Sequence, residues 1–422
     1  MTLAQIKSYF PGGGPFAEKA LFVLLFLFPI LSLSVRHWLS GAFSLIVLLS
    51  LVYAWRSLKE KPLYREEKIL FGIFGLYFFS ILLSSTVNGW TEASYHRLGT
   101  ELKYLAFFPF YLYIRQYPSA WRGLILAIPL GGIVLGGQAI YDTYFTSFER
   151  ANGIYGPIIF GDLGVLLTIF SLIFALTNRN KLWISINLLA GAMGMLAVIY
   201  SGSRNAWLAV VVSLIILPFL IGTRTTFWRV SGSYLAIITV AVVMIINTPS
   251  AITARVGVAT EQFKSYFYHS PDDNYDVTTT SVGERLEMWR SALVIFRENP
   301  CAGIGPGNMH KEINWLAVSK NIGVKTKHGH VHNAYLEILG TQGIIGFLVF
   351  IAMLFYPLYI FLSKRRYDRR IAGLGIMLMS GFVVFSLTEV PFIHDNFSSI
   401  FLTFLSVFFA WIIHAKYESR TA

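Results

Sequence analysis

About twelve apolar stretches follow one another along the chain, most of them separated by short polar links, and they constrain the fold more than any other feature. They lie near 20–35, 38–55, 69–86, 99–114, 123–141, 154–177, 183–200, 206–222, 230–247, 334–362, 371–389 and 396–414. A membrane-crossing helix needs about 20 mostly apolar residues. Water could not carry so much apolar surface, since only 13% of the 422 residues are charged against about 25% in soluble domains. The same apolar content excludes a disordered chain. A lone cysteine, Cys301, excludes an intramolecular disulfide framework. The expected fold class is therefore all-α, a polytopic bundle of about 12 transmembrane helices. The first stretch is short and carries Pro29, but it reads as a span. No small-residue cleavage site follows it, and a second stretch begins at once. The tenth exceeds a perpendicular crossing and is expected to tilt or project.

Basic residues orient such a bundle, because cytoplasmic segments collect Lys and Arg. With the N-terminus inside, 20 of the 34 Lys and Arg fall in short inner segments and five in short outer ones; nine lie in the long loop 248–331. The net charge of +12 is thus a topology signal and not a nucleic-acid footprint. Both termini are expected in the cytoplasm. The runs Lys364–Arg370 and Arg56–Lys68 are placed to touch anionic membrane lipids. Three regions result: 1–247 with nine spans, 248–331 as an outer loop domain, and 332–422 with three spans. No internal repeat is visible, which speaks against the paired halves common in transporters.

Candidate chemistry gathers on the outer side. Within the loop, 282–299 repeats Leu286, Trp289, Ala292, Leu293 and Phe296 at helical spacing, with Arg285, Arg290 and Arg297 between them. That pattern suits an amphipathic helix on the membrane surface, or an ordinary packed helix with solvated arginines. The glycines at 303, 305 and 307 mark a tight turn and lack the ending of a phosphate loop. His328, His330 and His332 alternate just before the tenth span. They could ligate a metal, with Cys301 or Glu337 as further ligands, but the spacing selects neither; no metal and no cofactor is expected. Asn333 suits a helix start. Arg204, in SGSRNAW, is pinned at the outer boundary, where positive charge is otherwise disfavoured. His394 and Asp395 could form a relay or cap the last span, and the cap is preferred.

The series SGSRNAW, ERLEMWR, GIGPGNM and HNAYLEILGTQGIIG resembles the motif series of the O-antigen ligase and polymerase superfamily, across roughly 201–346. The resemblance implies a GT-C-like glycosyltransferase of the bacterial inner membrane with a periplasmic active site. Such proteins take a glycan from undecaprenyl diphosphate. A ligase, the preferred reading, places O-antigen on lipid A–core; a polymerase joins carrier-linked repeat units. By position, the resemblance implies His332 as the catalytic base and Arg204 with Arg285 or Arg290 on the diphosphate. Asn333, Tyr335, His330 and His394 are possible supporting residues. Gly346 stands where many ligases carry Thr. The chain ends soon after the last span, unlike the superfamily's protein-glycosylating members.

The inventory suits that chemistry. Transfer from a lipid diphosphate needs a base at the acceptor hydroxyl and positive charge on the leaving group. There is no Asp-x-Asp to hold a metal, so arginine forks are the natural diphosphate partners, and a histidine base suits neutral pH. A secondary transporter or lipid flippase is the remote alternative. Its ionisable groups belong near mid-membrane, whereas Asp162, Glu337 and Glu389 lie toward the outer span ends.

Overall fold

The computed structural model describes residues 15–32, 35–221, 261, 262, 264, 266 and 280–419. Every regular element among them is helical: α1 (Phe16–Ile30), α2 (Trp38–Glu60), α3 (Arg65–Val87), α4 (Glu92–Gln116), a 3-10 turn (Pro118–Ala120), α5 (Trp121–Phe145), α6 (Pro157–Thr177), α7 (Lys181–Ser201), α8 (Arg204–Ile221), α9 (Ser281–Glu298), α10 (Met309–Ser319), α11 (Ala334–Lys364), α12 (Arg369–Phe385) and α13 (Asp395–Glu418). Helices thus stand at the expected apolar stretches except 230–247, which lies outside the described residues. Among the described residues six segments are long and apolar enough to cross a membrane: Arg65–Val87, Pro118–Phe145, Pro157–Thr177, Lys181–Ser201, Ala334–Lys364 and Asp395–Glu418.

Burial sorts these helices. The apolar windows of α6 and α13 are each 89% buried, and Phe170 of α6 meets the rings of Phe404 and Phe408 of α13; these two helices form the centre. By contrast α3 and α11 each bury 39% of their windows, leaving Leu76, Phe79, Leu348 and Tyr359 exposed. Outward apolar faces of that kind are what lipid covers. Where α6 meets α7, a Cβ on Gly194 would stand 2.4 Å from Thr168 Oγ1; small residues let membrane helices approach closely.

The long α11 is broken. Gly343 takes φ 64 and ψ −164 inside it, so the length beyond one crossing becomes a separate arm, residues 334–342. The break frees carbonyls, and the glycine-rich turn satisfies them. Ile304 N donates to Gly340 O at 3.0 Å, and Gly305 N donates to Thr341 O at 2.9 Å. In return Ile344 N donates to Pro300 O at 2.8 Å. Neither backbone tolerates a side chain here: a Cβ on Gly303 would lie 2.3 Å from the Thr341 carbonyl carbon, and one on Gly343 would lie 2.3 Å from Cys301 O. The turn is therefore a brace that fixes the arm directly following the histidines.

The described part of the long loop builds a small unit on that arm. Met288, Ala292 and Ile295 of α9 pack with Met309, Ile313 and Leu316 of α10 and with Val331. The face differs in part from the expected one: Leu293 is exposed, Leu286 lines a cavity, and Trp289 lines the same cavity while packing against this core. Two apolar stripes run along α9, and the sequence does not say which meets the core. The helix is of the packed kind, lying against α10 and α11.

Candidate active site

Two helix starts and a loop converge on a pocket of about 540 Å³. The first turn of α8 brings Ser203, Arg204 and Asn205, and the first turn of α9 brings Ser281 and Val282. Arg150, from the link between α5 and α6, and Arg285, one turn into α9, bring the guanidiniums there to three among the described residues. Helix N-termini carry unpaired N–H groups and partial positive charge, so helix starts and arginines together favour an anion. Ile158, Leu208, Leu286 and Trp289 supply an apolar wall.

The arginines are held differently. Arg150 Nε donates to Ser201 O at 2.6 Å. Arg204 reaches Ser281 Oγ at 3.4 Å, linking the two helix starts. Arg285 is half-buried; burial pulls its pKa down, the Glu389 carboxylate pushes it back up, and the Arg204 charge lowers it again. Arg290 lies outside the pocket, exposed, 3.6 Å from Glu287 Oε2.

Directly behind the pocket stands Glu389, 3% exposed and next in sequence to the pocket-lining Thr388. Its Oε2 is 3.2 Å from His332 Nδ1. Its Oε1 is 3.0 Å from His330 Nε2 and 3.3 Å from His394 Nε2, and it also accepts from Val390 N at 3.0 Å. Burial alone would raise this carboxyl, but the bonds from His330, His332 and His394 outweigh it and hold the pKa well below the usual carboxylate range. The His328 and His330 rings pack edge-on against His332, with centroids 4.6 and 4.5 Å away.

Local structure fixes His332 firmly. It takes a left-handed backbone, φ 51, which costs a non-glycine residue about 1–3 kcal/mol and clusters at functional sites. Asn333 caps α11, its Oδ1 accepting from Leu336 N at 3.0 Å, while its Nδ2 donates to Leu387 O at 3.0 Å. Ala334 N donates to Ser386 O and Glu389 O, and Trp289 Nε1 donates to Val331 O at 2.9 Å. The last bond ties the histidine segment to the pocket wall. With a proton on Nδ1 facing the carboxylate, Nε2 of His332 is the lone-pair nitrogen.

The structure thus brings Arg204 and Arg285 into one pocket with His332 beside it, and His330, His394 and Asn333 around the same carboxylate. Tyr335 turns away, donating to Val383 O at 2.9 Å. The preferred cap is corrected: His394 holds the N-cap position without a side-chain capping bond because its ring goes to Glu389, while Asp395 binds Lys103. Sequence reasoning missed Glu389 and Arg150 as members of the site. The signal for Glu389 was an acid at an outer span end, five residues before His394.

Residues 188–351 match the family model described as O-Antigen ligase. That stretch, less than half of the chain, is similar to the O-antigen ligase family. The match takes in Arg204, Arg285, Arg290, His330, His332 and Asn333; Arg150, Glu389 and His394 reach the site from outside it. The chain is also 25% identical to an uncharacterized protein of Haemophilus influenzae over 365 residues, 84% of this chain and 88% of that protein.

Proposed function

We propose that this protein is a ligase of lipopolysaccharide assembly, moving O-antigen polysaccharide from undecaprenyl diphosphate to a sugar hydroxyl of lipid A–core. The observation that carries the reading is the pocket itself: three arginines and two helix starts face a space beside a buried His–Glu pair. Arg204 and Arg285 bind the diphosphate and stabilise the charge it gains on leaving, with Arg150 as a third contact. His332 Nε2 takes the proton of the acceptor hydroxyl as that oxygen attacks the anomeric carbon. Glu389 positions the ring through Nδ1 and stabilises the imidazolium that forms. The leaving diphosphate is neutralised by guanidiniums, so the transfer step needs no metal. The apolar wall of Leu208, Leu286 and Trp289 receives the polyprenyl end. By the charge distribution the pocket faces the periplasm from the inner membrane, with both termini in the cytoplasm.

Deletion of the gene in a strain with smooth lipopolysaccharide tests this. Long chains vanish from lipid A–core while polymer accumulates on the lipid carrier, and wild type but not His332→Ala restores the ladder. Single repeat units on both carrier and core would instead identify a polymerase, and an unchanged pattern would overturn the assignment to glycan transfer.

A further inference from the structure

Three side chains of the site place donor atoms close enough to share one ion. His330, His332 and Glu389 each offer one donor atom, and these atoms lie within 4.8 Å of one another; His330 Nε2 is 3.0 Å from Glu389 Oε1 and His332 Nδ1 is 3.2 Å from Glu389 Oε2. A tetrahedral ion with bonds of about 2.0–2.1 Å holds its donors roughly 3.4 Å apart. Two imidazoles and one carboxylate are a zinc donor set with one open position, and nitrogen donors disfavour magnesium and calcium. His394 Nε2, 3.3 Å from Glu389 Oε1, stands near enough for its ring to swing into the fourth place. The donors come from two segments, 330–332 and 389, whose mutual position is fixed by the backbone bonds of Ala334 to Ser386 and Glu389. His330 and His394 are partly exposed, with side chains 17% and 36% accessible, and give an ion a way in.

We propose that His330, His332 and Glu389 form a binding site for a zinc-type divalent cation, and that the bound ion switches transfer off. The binding part stands on geometry; the switching part rests on His332 being the base. Coordination through Nδ1 leaves the neutral ring's one proton on Nε2, any second proton going to solvent. Nε2 then donates and cannot accept the proton of the sugar hydroxyl. The ion also draws Glu389 away from its role as ring-positioning partner. Glycan transfer without metal and inhibition by zinc are therefore two consequences of the same cluster.

The test uses the full chain in detergent, without a polyhistidine tag, titrated with Zn²⁺ alone by calorimetry and with Co²⁺ by its visible spectrum. One ion per chain is expected, with His330→Ala and Glu389→Gln each weakening it at least ~10-fold. His330→Asn serves as a second variant at the accessible edge of the cluster should Glu389→Gln not fold. Absence of stoichiometric binding, or equal binding by the variants that fold, would overturn the site. In the transfer assay, saturating Zn²⁺ lowers the wild-type rate at least ~10-fold and EDTA restores it. Stoichiometric binding with an unchanged rate overturns the switch alone. Wild-type transfer by His332→Ala overturns the base assignment and leaves zinc binding by the unaltered chain standing.

Discussion

Arg115 and Arg285 are both arginines sheltered from water, and they sit at opposite ends of the bundle. Around Arg115 every direction is answered: Nε lies 2.9 Å from Glu67 Oε1, and Nη1 and Nη2 donate to Lys61 O and Pro62 O, each at 2.9 Å. Glu67 in turn accepts from Tyr111 and from Tyr64 N, and neighbouring Glu66 pairs with Lys416. Arg285 makes no hydrogen bond or ion pair among the described residues, and its charge faces a cavity shared with Arg204. One end uses charge to lock helices together. The other leaves charge facing a cavity, the arrangement that the proposed diphosphate site requires and that distinguishes preorganised electrostatic sites from structural ion pairs.

Substitutions can break that contrast or sharpen it. The largest effect belongs to His332→Ala, which lowers transfer about 10²–10⁴-fold while the detergent-solubilised protein keeps its unfolding temperature; a matching loss of stability would make the residue structural. Arg115→Ala does the reverse. It leaves Glu67 buried without its cation, costing about 3–5 kcal/mol in thermal or denaturant unfolding, yet transfer per folded molecule is unchanged. Arg285→Ala weakens donor use about 10–100-fold, the worth of one or two charged hydrogen bonds, with little change in stability, as kcat/KM and unfolding scans would register together. Gly303→Ala, pressed against the Thr341 carbonyl, destabilises by about 1–3 kcal/mol and lowers transfer because the brace no longer sets the arm that follows the histidines. Smallest is Arg290→Ala. That residue is exposed and paired with Glu287, so kcat/KM moves by less than about twofold; a loss as deep as that of Arg285→Ala would shift the diphosphate contact out of the pocket.

The described helices were legible in the sequence because their apolar stretches are long enough to declare themselves without knowledge of their neighbours. Arg204, His332 and Asn333 were legible for a local reason too, since each stands at a span boundary next to a turn or cap. Legibility stops where the site depends on separations the chain hides. Glu389 meets His332 across 57 positions, and nothing local to either one announces the pairing. Arg150 reaches the pocket through the carbonyl of Ser201, again a long-range contact. The choice between Arg285 and Arg290 turned on which stripe of α9 faces the core, and α9 carries apolar residues on both. The glycines of 303–307 read as a turn, but their purpose needed the break at Gly343 to be seen.

The central claim is that His332, held by Glu389, removes the acceptor's proton beside an arginine-lined diphosphate pocket. The direct measurement is transfer by purified wild type and His332→Ala, from a lipid-diphosphate-linked glycan to lipid A–core, with donor binding followed separately. Donor binding by His332→Ala is expected within about twofold of wild type, with a rate at least about 100-fold lower. Transfer by His332→Ala at the wild-type rate would contradict that claim.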